Sequence, residues 1–181
     1  SPLTTIPAAP VRDPRPRRVS PAWYEAAFPW LGAFWAFGAM FCGLRDAIGL
    51  LAVARMRASG INAPTPILTI ADRLRRRMGV RAAVSVHMVE GISSAMVTGL
   101  FRVVILIPTR MATGLPREAV EAILAHEFAH IRRWDRWVNF FQCVLECLLF
   151  FHPALWWISR RARIERELCC DRMALTVCAD P

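Results

Sequence analysis

The sequence predicts an α+β fold: a membrane-associated domain with a small antiparallel sheet and two motif-bearing helices, preceded by a transmembrane helix. Three observations predict it. A run of nineteen residues without a charge begins at Ala26, short β-branched runs occupy 82–108, and helical patterns follow them. Because 55% of the residues are hydrophobic and 20% are charged, apolar and charged stretches must be segregated along the chain.

The first segments are a linker and a membrane span. Residues 1–21 hold six of the thirteen prolines, which predicts an exposed Pro/Arg-rich linker. Residues 22–44 are predicted to be a transmembrane helix, because an uncharged run of this length crosses a hydrocarbon core of roughly 30 Å. Four arginines precede this span and eight lie in 45–81, so the positive-inside bias places everything after Leu44 in the cytoplasm.

A basic region follows the span. Residues 45–81 are predicted to be a basic amphipathic juxtamembrane region, in which the helix 66–78 lies against the membrane surface. The net charge is +9 and every basic residue is arginine. Since no nucleic-acid motif accompanies this charge, we expect membrane lipid as a partner and no direct contact with nucleic acid.

Residues 82–181 are predicted to form one domain. Its runs 82–89, 94–98 and 102–108 are rich in β-formers and are separated by glycines, which predicts a small antiparallel sheet. Pro116 then marks the start of a helix that extends to about Trp134.

The apolar stretch 137–158 has two interpretations. It is either inserted in the membrane with a polar stripe turned inward, or it is a core helix of the domain. Glu146 on that stripe is a candidate functional residue in lipid, and is merely paired in a core. The final segment, 159–175, is predicted to be a charged helix.

The segment "ILAHEFAHI" at 123–131 indicates a metal site. His126 and His130 are four residues apart, so their rings project from one helix face about one turn from each other. Two such imidazoles can bind one Zn²⁺ at roughly 2.0–2.1 Å. Glu127 is then suited to act as the general base that takes a proton from the attacking water.

A catalytic zinc site needs a third protein ligand. Glu167 and Asp171 share a face of the last helix, whereas Glu165 lies about 200° round from Glu167. We therefore expect Glu167 to bind the metal and Asp171 to hold a ring N–H of a ligand histidine. A cysteine ligand, Cys169 or Cys170, would give a different and more structural site.

Two further positions near the motifs carry predictions. His152 lies between them and is a candidate catalytic residue, as a donor to the oxyanion formed on the substrate. Its alternative role is to cap the helix break before Pro153. Asp135 and Asn139 are expected to orient the zinc-binding helix rather than to bind substrate.

The segments "ILAHEFAHIRRWDRWVN", "FFHPALWWISRRARIERELCCD" and "GLFRVVILIP" resemble bacterial membrane zinc peptidases of the BlaR/MecR antirepressor type over about residues 80–175. This resemblance implies a gluzincin-like fold with His126, His130 and Glu167 as zinc ligands. It also implies that Glu127 is the catalytic base and that Asp171 supports the site. In such proteins the catalytic domain faces the cytoplasm between helices of a multi-pass protein of the inner membrane.

These observations together predict a membrane-bound zinc metalloendopeptidase, whose protein or peptide substrate pairs along the sheet edge near 95–107. The resemblance implies that it is the protease part of a signal-transducing sensor, which cleaves a cytoplasmic repressor or the chain itself. The alternatives are a housekeeping membrane metalloprotease of the HtpX or CAAX type, or a non-catalytic signalling receptor with structural zinc. The chain begins without methionine, so we expect it to be part of a longer protein.

Overall fold

A computed structural model describes residues 23–179, and the predicted linker 1–21 lies outside them. Helix α1, Trp23–Ser59, has 37 residues, none of them buried. It continues well beyond the predicted end of the span at Leu44, and it exceeds the roughly 20 residues that cross a bilayer. Within the described part of the chain, α1 is the one helix long and apolar enough to span a membrane.

The described residues fall into two units, 23–36 and 37–179. All the contacts discussed below lie within the second unit. It contains the remainder of α1, a four-stranded sheet and five further helices. They are α2 Thr65–Arg77, α3 Thr109–Gly114, α4 Arg117–Arg132, α5 Asp135–Leu148 and α6 Pro153–Ala179.

The sheet is mixed, which corrects the prediction of an antiparallel one. Its strands are β1 Ile61–Asn62, β2 Val84–Val89, β3 Met96–Thr98 and β4 Val103–Pro108, in the order β1-β2-β4-β3. Strands β2 and β4 are parallel, and the other two pairs are antiparallel. All six residues of β4 are buried, as expected for a central strand covered on both faces. The outer strand β3 turns into β4 at Gly99, whose φ is +88°.

The core lies between the sheet and helices α2, α4 and α6. Helix α2 contributes its apolar face to this core, through Ile67, Ile70, Ala71 and Leu74. That face therefore packs on protein, and the contact of the helix with the membrane surface stays a prediction. The arginines of α2 lie on the side of the helix that faces away from this core. The predicted juxtamembrane helix thus shares one core with the sheet and with α4.

The apolar stretch 137–158 is divided between two helices. Helix α5 ends at Leu148 and α6 begins at Pro153; with 14 residues, α5 is shorter than the roughly 20 needed to cross a bilayer. Its polar residue Glu146 is buried and faces α6. Most of its exposed side chains are large and apolar: Val138, Phe140, Phe141, Val144, Leu145 and Leu148.

Candidate metal centre

Helix α4 supplies two histidines whose rings meet at one point. The Nε2 atoms of His126 and His130 lie 3.2 Å apart, as the four-residue spacing predicts. Ala125 and Ala129 beside them are fully buried. Their small side chains let α4 pack closely on its neighbours, so the histidines are held on a helix fixed in the core.

Helix α6 brings the third donor to the same point. An Oε2 atom of Glu167 lies 3.3 Å from Nε2 of His126 and 3.6 Å from Nε2 of His130. The Glu167 side chain is 58% exposed, so this cluster opens toward solvent on one side. The structure thus brings together the three residues that the sequence predicted as metal ligands.

The distances and the chemistry of these donors both fit a metal ion. Three ligands around a tetrahedral zinc at about 2.0–2.2 Å would lie about 3.3–3.6 Å apart, and the observed separations are 3.2, 3.3 and 3.6 Å. Each ring also has a carboxylate at its other nitrogen, which holds the proton on Nδ1. Both Nε2 atoms then direct lone pairs at each other and at a carboxylate. Three such acceptors repel one another unless a cation lies between them.

Two carboxylates orient the histidine rings. Nδ1 of His126 lies 2.9 Å from Asp171, and Nδ1 of His130 lies 2.8 Å from Asp135. The position of Asp171 agrees with its predicted contact to a histidine. Asp135 was predicted only to orient the helix, and its contact to a histidine was missed. It begins α5 directly after Trp134, whose φ of +62° turns the chain back toward α4.

Glu127 lies beside the cluster and is buried, with 7% of its surface exposed. Burial raises the pKa of Glu127, whereas the charges of His130 and His126 lower it. A backbone hydrogen bond from Val97 also lowers this pKa, which links Glu127 to the outer strand β3. A carboxylate with its pKa raised by burial is suited to proton transfer.

Cys170 lies behind the cluster and is completely buried. Its Sγ is 3.5 Å from Asp135 and 3.4 Å from Nδ1 of His130, so these three residues are a second group that could hold a metal. Burial and the Asp135 charge raise the pKa of Cys170 to about 12. The ring atom that His130 would offer to this second group is Nδ1, which already contacts Asp135 at 2.8 Å, whereas its Nε2 is directed at His126 and Glu167. We therefore interpret Cys170 as a buried residue that packs against His130 and Asp135 and not as a metal ligand.

The spacing on α6 explains the arrangement. Cys170 and Asp171 follow Glu167 by three and by four residues, so all three share a helix face. Glu165 lies on another face and pairs with Arg161 at 3.3 Å, as the helix geometry predicted.

His152 is not part of the cluster. It is exposed just before α6. It lies fifteen residues before Glu167, which corresponds to about 22 Å along a helix. The predicted catalytic role of His152 at the site therefore has no support from this placement.

Comparisons with known proteins give the following matches. A family model described as BlaR1 peptidase M56 matches residues 13–179. The regulatory protein BlaR1 of Bacillus licheniformis is 31% identical over 80 residues, which is 44% of this chain and 13% of that protein. The methicillin resistance mecR1 proteins of Staphylococcus aureus and Staphylococcus epidermidis are each 28% identical over 88 residues, 49% of this chain and 15% of their own length. The chain thus spans only a small part of the relatives it matches.

Proposed function

The chain belongs to the BlaR1 peptidase M56 family, and we propose that it is the catalytic part of a membrane-bound zinc metalloendopeptidase. His126, His130 and Glu167 would hold the zinc. The observation that supports this most strongly is the convergence of their three donor atoms, 3.2, 3.3 and 3.6 Å apart. The buried carboxylate of Glu127 directly beside them supports catalysis over a purely structural role.

Each residue of the centre would have a separate role in peptide hydrolysis. Zinc, when bound, would acidify a water molecule and polarise the peptide carbonyl. Glu127 would take the proton of the attacking water and deliver it to the leaving amine. Asp135 and Asp171 would keep both Nδ1 atoms protonated, so that each Nε2 offers a lone pair to the ion.

The substrate would lie along the outer strand β3. This strand, Met96–Thr98, pairs on one side with β4 and is the last strand of the sheet. Among residues 23–179 no strand pairs with its other edge, where a peptide strand could be added. The contact between Val97 and Glu127 puts that edge beside the proposed base. Of the predicted stretch near 95–107, only β3 lies at an edge of the sheet, because β4 is a central strand.

We further propose a role in signalling at the inner membrane. The relatives are named as a regulatory protein and as methicillin resistance proteins, and a peptidase that belongs with them would cleave a cytoplasmic repressor or itself. Helix α1 would span the membrane of a multi-pass protein, with membrane lipid around it. The excess of arginine after Leu44 would keep the catalytic domain in the cytoplasm.

A pair of variants tests catalysis separately from metal binding. The full chain is purified in detergent, loaded with zinc and assayed for self-cleavage and for cleavage of a fluorogenic peptide library. Glu127→Gln should keep about one zinc per chain and lose cleavage, because only the base is removed. Glu165→Gln is the control, since it makes the same change on an exposed face. If Glu127→Gln cleaves as fast as the parent chain, the enzymatic proposal is wrong.

A further inference from the structure

Polar side chains join α5 to α6 on the side of α5 that faces away from its exposed apolar residues. The carboxylate of Glu146 is almost fully buried and accepts hydrogen bonds from Arg163 at 2.6 Å and from Gln142 at 3.2 Å. The Gln142 amide also donates to the backbone carbonyl of Ser159 at 3.0 Å. Its own oxygen accepts from Arg166 at 3.3 Å. We refer to Gln142, Glu146, Arg163 and Arg166 as the α5–α6 network.

This network reaches the metal centre. Arg166 donates through its second terminal nitrogen to the backbone carbonyl of Asp135 at 3.5 Å. The side chain of Asp135 in turn accepts from Nδ1 of His130 at 2.8 Å. Hydrogen bonds therefore lead from Glu146 to the backbone of Asp135, the residue whose side chain contacts a proposed zinc ligand. On α5, Asp135, Gln142 and Glu146 are spaced by seven and four residues, so they lie on one face.

Packing alone does not account for these residues. A buried carboxylate is unfavourable unless it is paired and hydrogen-bonded, and apolar side chains of similar volume often join two helices at least as stably. A polar contact differs from an apolar one because it is satisfied at a single register of the two helices. Both polar atoms of Gln142 are engaged across the interface, so a shift of α5 along α6 breaks several bonds at once.

We infer that the α5–α6 network is a positioning device, which fixes Asp135 relative to α6 and so holds the His130 ring in its metal-binding orientation. Among the described residues, Asp135 is the contribution of α5 to the centre, whereas Glu167 and Asp171 come from α6. The register between these helices therefore determines whether all the groups meet at one point. This inference rests on the proposed function, because it concerns the same metal centre.

The test measures Co²⁺ binding to the full chain in detergent, by titration and by the visible absorption bands of the bound ion. Gln142→Met removes the central hydrogen bonds without changing the charge or much of the volume. It should weaken Co²⁺ binding on the order of tenfold, the smaller of the losses that are typical when a residue supporting a metal ligand is replaced. It should also alter the absorption bands of the bound ion. Circular dichroism must show that the variant is folded at the temperature used. Glu165→Gln, on an exposed face of α6, should leave affinity and bands as in the parent chain.

Each outcome decides the inference. Parent-like affinity and bands in folded Gln142→Met overturn it and leave the proposed function standing. Should Gln142→Met not fold, Glu146→Gln takes its place, since it keeps an acceptor for Gln142 but loses the ion pair with Arg163. Equal cobalt binding by Glu146→Gln and Glu165→Gln then overturns the inference. A parent chain that binds no cobalt overturns the proposed function, and the inference with it.

Discussion

The two carboxylates behind the histidines allow one argument about burial to be tested by matched substitutions. Asp135 and Asp171 make equivalent contacts, 2.8 Å to His130 and 2.9 Å to His126. Their surroundings differ, because the Asp135 side chain is 8% exposed and the Asp171 side chain is 60% exposed. Asparagine at either position has a similar shape and keeps one acceptor oxygen, while it removes the negative charge and replaces the other oxygen by an NH2 donor.

The size of each effect follows from this difference. Loss of a group that orients a metal ligand weakens metal binding by about 10–100-fold, or about 1.4–2.7 kcal/mol. The carboxylate charge strengthens the hydrogen bond to the ring N–H, and it does so more in a buried setting than in water, which weakens electrostatic interactions. Asp135→Asn should therefore fall at the upper end, near 100-fold. The exposed Asp171 is screened by solvent, so Asp171→Asn should weaken zinc binding by about tenfold or less.

The assay is competition for zinc between the protein and a chromogenic chelator, with circular dichroism to confirm that both variants are folded. Equal losses, or a larger loss for Asp171→Asn, would refute the argument that burial sets the strength of these contacts. Parent-like affinity in Asp135→Asn would show that the charge of this residue does not contribute to metal binding.

Three further predictions follow from the site and the sheet. Cys170→Ser should still bind zinc but lose about 1–2 kcal/mol of stability in urea unfolding, because a polar hydroxyl replaces a buried thiol. Cys178→Ser, at an exposed position, is the control. Loss of zinc in Cys170→Ser would show that Cys170 is a ligand. Gly99→Ala should destabilise the protein by about 1–3 kcal/mol, because its φ is +88° and an added Cβ would overlap the carbonyl oxygen of Arg102; an unchanged urea midpoint would contradict this. His152→Ala should leave both zinc content and cleavage unchanged, because this residue is exposed outside the cluster; a loss of cleavage with zinc retained would restore the oxyanion role.

The arrangement of the candidate ligands was predictable because it depends on geometry within single helices. The spacing of His126 and His130 fixes their relative orientation on any α-helix. The same reasoning separates Glu167 from Glu165 on α6. Helix geometry alone does not show that α4 and α6 meet; the need of a zinc site for a third ligand and the motif resemblance led to that expectation.

The missed features depend on contacts between distant segments. The contact of Asp135 with His130 requires the left-handed backbone at Trp134, and nothing in the spacing of these residues indicates that turn. Likewise, β-rich runs reveal strands but not their partners, so the parallel pairing of β2 with β4 was predicted as antiparallel. An amphipathic pattern shows that α2 has an apolar face, but it does not show whether protein or lipid covers that face.

The position of His152 has a similar explanation. Its closeness in sequence to both motifs suggested closeness in space. Helix α6 instead begins one residue later, at Pro153, and extends 27 residues without interruption. A continuous helix places its ends far apart, so a residue before α6 cannot meet a ligand four turns along it.

The identity of the zinc ligands is the central claim, and X-ray absorption at the zinc edge tests it most directly. We predict only nitrogen and oxygen neighbours at about 2.0–2.2 Å, with the scattering pattern of two imidazoles, and loss of bound zinc in Glu167→Ala. A sulfur neighbour at about 2.3 Å would contradict the account, because it would place the metal at His130, Asp135 and Cys170 instead.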